Sequence, residues 1–131
     1  MDIPVPTLLV IEDEIALRTI LVDKLTQVGY KTLQAENGKV GLLLAIEKQP
    51  DLILLDLLMP VMSGVETITK IRSHPQGKDL KIMVITNMSS AEAMPPEIEE
   101  HIVGHFIKSD WSLGELVKKI QSILQNDSHS T

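Results

Sequence analysis

The stretch Leu52-Ile53-Leu54-Leu55-Asp56 decides the fold. Four branched or long aliphatics in a row read as a strand buried on both faces, the pattern of a parallel sheet covered by helices. Its last residue is a carboxylate, delivered at the C-terminal end of the strand. A loop over 57–62 follows, and Ser63 with Glu66 forms a capping box for a helix running through Arg72. Before the strand, Asn37 caps a helix over 39–48, which stops ahead of Pro50.

The same alternation extends outward in both directions. Leu8-Leu9-Val10-Ile11 reads as a first buried strand, ended by Glu12-Asp13-Glu14. Residues 15–28 read as a helix with Leu17, Leu21, Leu25 and Val28 on one stripe, and Gly29 suits its C-terminal cap. A weaker strand covers 31–35. Downstream, 81–85 is a fourth strand ending at Thr86, and Phe106-Ile107 belongs to a fifth ending at Lys108. Ser112 with Glu115 opens the last helix, with Leu113, Leu116, Val117, Ile120 and Leu124 on one face. Between strands four and five, Pro95-Pro96 interrupts the helical pattern, so the fourth helix is expected to start near Pro96 and to be short or irregular.

Five β-α units in succession predict an α/β chain: a doubly wound, parallel five-stranded sheet with helices on both faces. One domain is expected over 1–125, with a polar tail over 126–131. The composition agrees. Nearly half of the 131 residues are apolar, aromatics are confined to Tyr30, Phe106 and Trp111, and there is no cysteine. Disulfides and thiolate metal sites are therefore excluded, and a cytoplasmic location is expected. A net charge of −6 argues against a nucleic-acid partner. No apolar run reaches the roughly 18 residues of a membrane span, and the first residues lack the basic and apolar regions of a signal peptide.

In doubly wound sheets, ligands bind beyond the carboxyl ends of the strands. The polar residues at those ends are Glu12, Asp13, Asp56, Thr86 and Lys108, each directly after an apolar strand. Three carboxylates at one edge repel one another and call for a cation. With no Cys and no clustered His, a hard ion with oxygen ligands, Mg2+, is favoured over Zn2+. Such a site suits phosphoryl transfer. Asp56 would be the nucleophile, Lys108 would face the phosphoryl oxygens, and the Thr86 hydroxyl would hydrogen-bond one of them.

The sequence resembles a response-regulator receiver domain of two-component signalling, in its single-domain, chemotaxis-regulator-like form. The resemblance rests on Leu8 to Glu14 for the acidic pair, on Asp56-Leu57-Leu58-Met59-Pro60-Val61-Met62-Ser63-Gly64 for the acceptor loop, and on Thr86 and Lys108. It implies a flavodoxin-like fold with strand order 2-1-3-4-5. It also implies that Asp13 and Asp56 ligate Mg2+ directly, with Glu12 acting through water and the Leu58 carbonyl as a further ligand. Lys108 would pair with Asp56 at rest and with phosphate afterwards. Thr86 would move on activation and repack the far face. The implied activity is a phosphorylation switch at Asp56, fed by a sensor histidine kinase or phosphotransfer protein and read by an unidentified downstream protein. It is a signalling domain rather than an enzyme, with self-catalysed phosphoryl transfer and dephosphorylation at most.

Several positions depart from the family pattern. Ser109 replaces the proline after the lysine, and a trans bond is expected there, since a cis non-proline bond costs ~2.5–4 kcal/mol. His105 stands where the family has its switch aromatic, so a rotamer switch would fall to His105. Asn87 follows Thr86, where the family has Ala or Gly, so tighter access to the phosphoryl group is expected; apolar Leu58 and Met88 flank the site and disfavour the attacking water, which predicts a long-lived phosphoryl state. Three other readings compete. A phosphohydrolase would need a second Asp at position 58, which is Leu. A flavin module would need a Ser/Thr-rich cradle where Glu12-Asp13-Glu14 stands. A receiver-like scaffold with little switching is the alternative that Pro95-Pro96 keeps open.

Overall fold

The computed structural model describes residues 4–57, 59, 61–86, 96–107 and 112–128. Strand β1 (Thr7–Ile11) leads into α1 (Ile15–Val28), β2 (Lys31–Ala35), α2 (Gly38–Lys48), β3 (Leu52–Asp56) and α3 (Gly64–Ser73). A 3-10 turn (Pro75–Gly77) then precedes β4 (Ile82–Thr86), α4 (Pro96–Glu99), β5 (Gly104–Ile107) and α5 (Leu113–Ser128). The strands form one parallel sheet in the order β2-β1-β3-β4-β5.

Side chains alternate across a strand, and here the alternation divides the core in two. Leu9, Ile11, Ile53, Leu55, Ile82 and Val84 pack with Ala45 of α2, Ile68 and Ile71 of α3 and Ile98 of α4. Leu8, Val10, Leu52, Leu54, Met83 and Ile85 pack with Leu21 and Leu25 of α1 and with Leu116, Val117 and Ile120 of α5. All five residues of β3 and all five of β4 are buried, which is why the first four of each read as a continuous apolar run before Asp56 and Thr86.

Local signals fix the helix ends. Asn37 Oδ1 accepts from Val40 N at 2.9 Å, and Ser63 Oγ accepts from Glu66 N at 3.1 Å. Gly29 closes α1 at φ 117°, a left-handed conformation that suits glycine. Ser112 Oγ accepts from Glu115 N at 3.2 Å. Val28 departs from the expected stripe. It is 37% exposed at the last position of α1, where the chain turns away toward β2. Helix α4 has four residues, and α5 runs to Ser128, so its final turn takes in residues 126–128 of the stretch read as a tail. Among the described residues, no helix is long and apolar enough to cross a membrane.

Candidate functional site

The sheet register assembles the site. Ile11 of β1 pairs with Leu55 of β3, so the next residues, Glu12 and Asp56, emerge side by side. Asp56 in turn pairs with Ile85, which places Thr86 one step further along the neighbouring strand. Thr86 pairs with Ile107, the last residue of β5. The strand order reverses direction between β1 and β3, because β2 lies outside β1 while β4 and β5 lie beyond β3. The carboxylates therefore gather at the switch point, where open α/β sheets form crevices.

One carboxylate oxygen from each of Glu12, Asp13 and Asp56 lies within 4.8 Å of the other two. Glu12 is 2% and Asp56 6% exposed, whereas Asp13 reaches solvent. Charged groups at such depth need compensation by a counter-charge. An all-oxygen anionic donor set of this size fits a hard divalent cation such as Mg2+. Thr86 is 1% exposed at the end of β4.

The loops around these residues are held from several sides. Glu14 N donates to Glu12 Oε2 at 3.2 Å, and Glu12 N donates to Ala35 O at 3.1 Å. After Asp56, Gly64 N donates to Leu57 O at 2.9 Å and closes the β3–α3 loop on itself. A Cβ at Gly64 would lie 2.5 Å from Leu57 Cα and 2.7 Å from Asp56 O, so only glycine fits there. Within the loop, Val61 is held at φ 73°, a conformation that β-branched residues rarely adopt.

Of the expected site residues, the structure brings Glu12, Asp13 and Asp56 together, and the register puts Thr86 beside them. Lys108 and the Leu58 carbonyl lie outside the described residues, as do Asn87, Met88, Ser109 and Trp111. His105 is exposed. Its strand neighbour Phe106 packs into the α1–α5 side of the core, while His105 lines a cavity of about 250 Å3 with Glu99, Ile102, Val103 and Gly104. Sequence reading missed Arg18. Its Nη1 donates to the Glu12 carbonyl at 2.7 Å and its Nε to Gln34 Oε1 at 3.1 Å. No sequence signal singled it out, because its partners are set by how α1 lies against β1 and β2.

The response regulator receiver domain family matches residues 8–121. The chain belongs to that family. Receivers of this kind are phosphorylation-dependent switches of two-component systems, with phosphorylation on Asp and with Mg2+. One relative is histidine kinase P4 of Formosa agariphila, 32% identical over 120 residues, which cover 92% of this receiver and 9% of the kinase. Another is the phosphate regulon transcriptional regulatory protein PhoB of Pseudomonas aeruginosa, 29% identical over 121 residues, covering 91% of this receiver and 52% of PhoB. The receiver thus spans a small part of the first relative and about half of the second. Among solved structures, response regulator TrrA of Thermotoga maritima, in complex with Mg2+ and BeF, is 30% identical with a TM-score of 0.78. That likeness covers 89% of this receiver and 97% of TrrA.

Proposed function

We propose that this receiver, one domain over residues 1–125, accepts a phosphoryl group on Asp56 from the phosphohistidine of a sensor histidine kinase or phosphotransfer protein. The carrying observation is the convergence of Glu12, Asp13 and Asp56 within 4.8 Å at the switch point of the sheet. A carboxylate oxygen of Asp56 forms the new O–P bond as the donor's N–P bond breaks, and the departing imidazole takes up a proton. Asp13 and Asp56 would hold Mg2+ directly, with Glu12 through water and the Leu58 carbonyl as a further ligand. When bound, the ion supplies two positive charges against the phosphoryl oxygens. Lys108 pairs with the remaining oxygen charge, and the Thr86 hydroxyl donates to a phosphoryl oxygen. Movement of Thr86 would pass the event to β5, with His105 in the switch position, and a downstream protein would read the changed face. The partners are proteins in the cytoplasm. The net charge of −6 is unsuited to a nucleic-acid backbone.

The test uses acetyl phosphate, whose acetate leaves as the O–P bond forms, and beryllofluoride. Intact mass and the fluorescence of Trp111, the single tryptophan, are followed with and without Mg2+. The expected result is a Mg2+-dependent mass gain that is absent from Asp56→Asn. A gain that persists in Asp56→Asn, or none in the parent, overturns the proposal.

A further inference from the structure

Arg18 has no part in the phosphoryl-transfer set above, yet its guanidinium touches the backbone of the acidic strand end. We propose that Arg18 is a positioning residue: it fixes the Glu12–Asp13 peptide so that the carboxylates are held ready for the cation. The proposal rests on the Mg2+ reading of the site.

The torsions of Glu12 lie between two peptide planes. The plane before it is fixed because Glu12 N donates to Ala35 O at 3.1 Å. The plane after it is fixed because Arg18 Nη1 donates to Glu12 O at 2.7 Å. The guanidinium is itself oriented, since Nε donates to Gln34 Oε1 at 3.1 Å and the group is planar. Gln34 precedes Ala35 on β2, so both restraints trace to the same edge of the sheet. Arg18 is tied back as well, because its own N donates to Glu14 O at 2.9 Å.

This closure matters because three carboxylates within 4.8 Å repel one another before a cation arrives. A loose loop would splay to relieve the repulsion and would have to be ordered again on binding, which weakens affinity. Arg18 removes that freedom in advance. It also borders a cavity of about 270 Å3 with Gln34, Ala35, Glu36 and Val40, so a shorter side chain would be replaced by water. A pure charge effect would need only a cation at this place. The two directed hydrogen bonds need the planar fork, which lysine lacks.

Mg2+ titration by Trp111 fluorescence, in the parent, Arg18→Gln, Arg18→Lys and Lys48→Ala, separates these cases. Arg18→Gln is expected to weaken Mg2+ binding about tenfold, the usual scale for groups that orient metal ligands. Arg18→Lys should lie nearer to Arg18→Gln than to the parent, and Lys48→Ala, at the far end of α2, should match the parent. With acetyl phosphate, the Mg2+ concentration for half-maximal phosphorylation should rise while the limiting rate changes little. Without metal, amide exchange at Asp13 and Glu14 should accelerate in Arg18→Gln while β3 amides hold. Parental Mg2+ affinity in Arg18→Gln overturns the proposal. So does parental affinity in Arg18→Lys, which would assign the effect to charge. Should Arg18→Gln not fold, Arg18→Lys carries the same comparison. A parent that binds no Mg2+ overturns the cation reading instead, and unchanged exchange at Asp13 and Glu14 then overturns the positioning role on its own.

Discussion

Glu12 and Asp56 stand side by side because Ile11 and Leu55, the residues before them, are register partners in β1 and β3. Both are almost fully buried, and Asp13 brings a third carboxylate within 4.8 Å. Stability should therefore be set against cation binding. Two unit charges 4 Å apart repel by about 4 kcal/mol at an effective dielectric of 20, and solvent around Asp13 reduces this. Asp13→Asn should stabilise the metal-free protein by about 1 kcal/mol, seen as a melting temperature roughly 3–5 °C higher in EDTA. In Mg2+ the order reverses, because the parent gains about 2.7 kcal/mol at 100 times its Kd and the variant gains far less. Melts in EDTA and in MgCl2 check both signs. An Asp13→Asn protein less stable than the parent in EDTA contradicts the repulsion argument.

Thr86 offers a separation of chemistry from response. It sits at the end of β4, 1% exposed, one step past the Ile85–Asp56 pair and directly opposite Ile107 of β5. Thr86→Val keeps the branched shape and removes the hydroxyl. Asp56 should still gain phosphate from acetyl phosphate, but the change in β5 and α5 amide exchange on phosphorylation should be lost. Thr86→Ser should retain it. Equal exchange responses in Thr86→Val and the parent would remove the hydroxyl from the signalling path.

The β3–α3 loop is closed by Gly64. A methyl group there would overlap Leu57 Cα and the Asp56 carbonyl, neither of which is the flexible end of a side chain. Gly64→Ala should cost about 1–3 kcal/mol, the range for overpacking a tight site. It should also slow phosphorylation, since the displaced atoms belong to the acceptor and its neighbour. Denaturant unfolding and acetyl phosphate labelling measure the two effects. A stable, fully reactive Gly64→Ala would show that the loop yields freely.

Much of this site was legible in the sequence because sheet burial and function share one signal. Leu52 to Leu55 is a continuous apolar run, so the position at which polarity resumes marks the strand end and names Asp56. The same reading found Glu12, Asp13 and Thr86. Caps at Asn37 and Ser63 were readable because they depend on residues three apart. Arg18 was not readable. Its bonds to Glu12 O and Gln34 Oε1 depend on how α1 lies against β1 and β2, and a partly exposed arginine on a helix has many possible contacts. Val28 misled for the opposite reason. Its helical spacing is right, but it is the last residue of α1 and stands 37% exposed.

Arg72 reaches across two chain connections at once, one of them the segment between α4 and β5. Its Nη1 donates to Gly77 O at 2.7 Å, and its Nη2 donates to His101 O at 2.5 Å. Burial lowers its pKa, while the charge of Asp79 acts in the opposite direction, so the group is partly desolvated but compensated. Helix α4 is too short to hold itself by cooperativity, and among its described side chains Ile98 is buried in the core. Arg72→Met keeps the apolar stem and removes both donors. It should destabilise the protein by about 1–3 kcal/mol, because carbonyls once bonded to a cation are left to weaker partners. The loss should be local. Amide exchange at His101 and Val103, whose N–H groups bond Ile98 O and Ile82 O, should accelerate most, with β1 amides following only global unfolding. Arg72→Lys, a single point donor, should fall between. If exchange rises equally in β1 and at Val103, Arg72 supports the whole fold and not this corner. If neither changes, the two carbonyls find water as readily as they found the guanidinium, and α4 does not depend on Arg72.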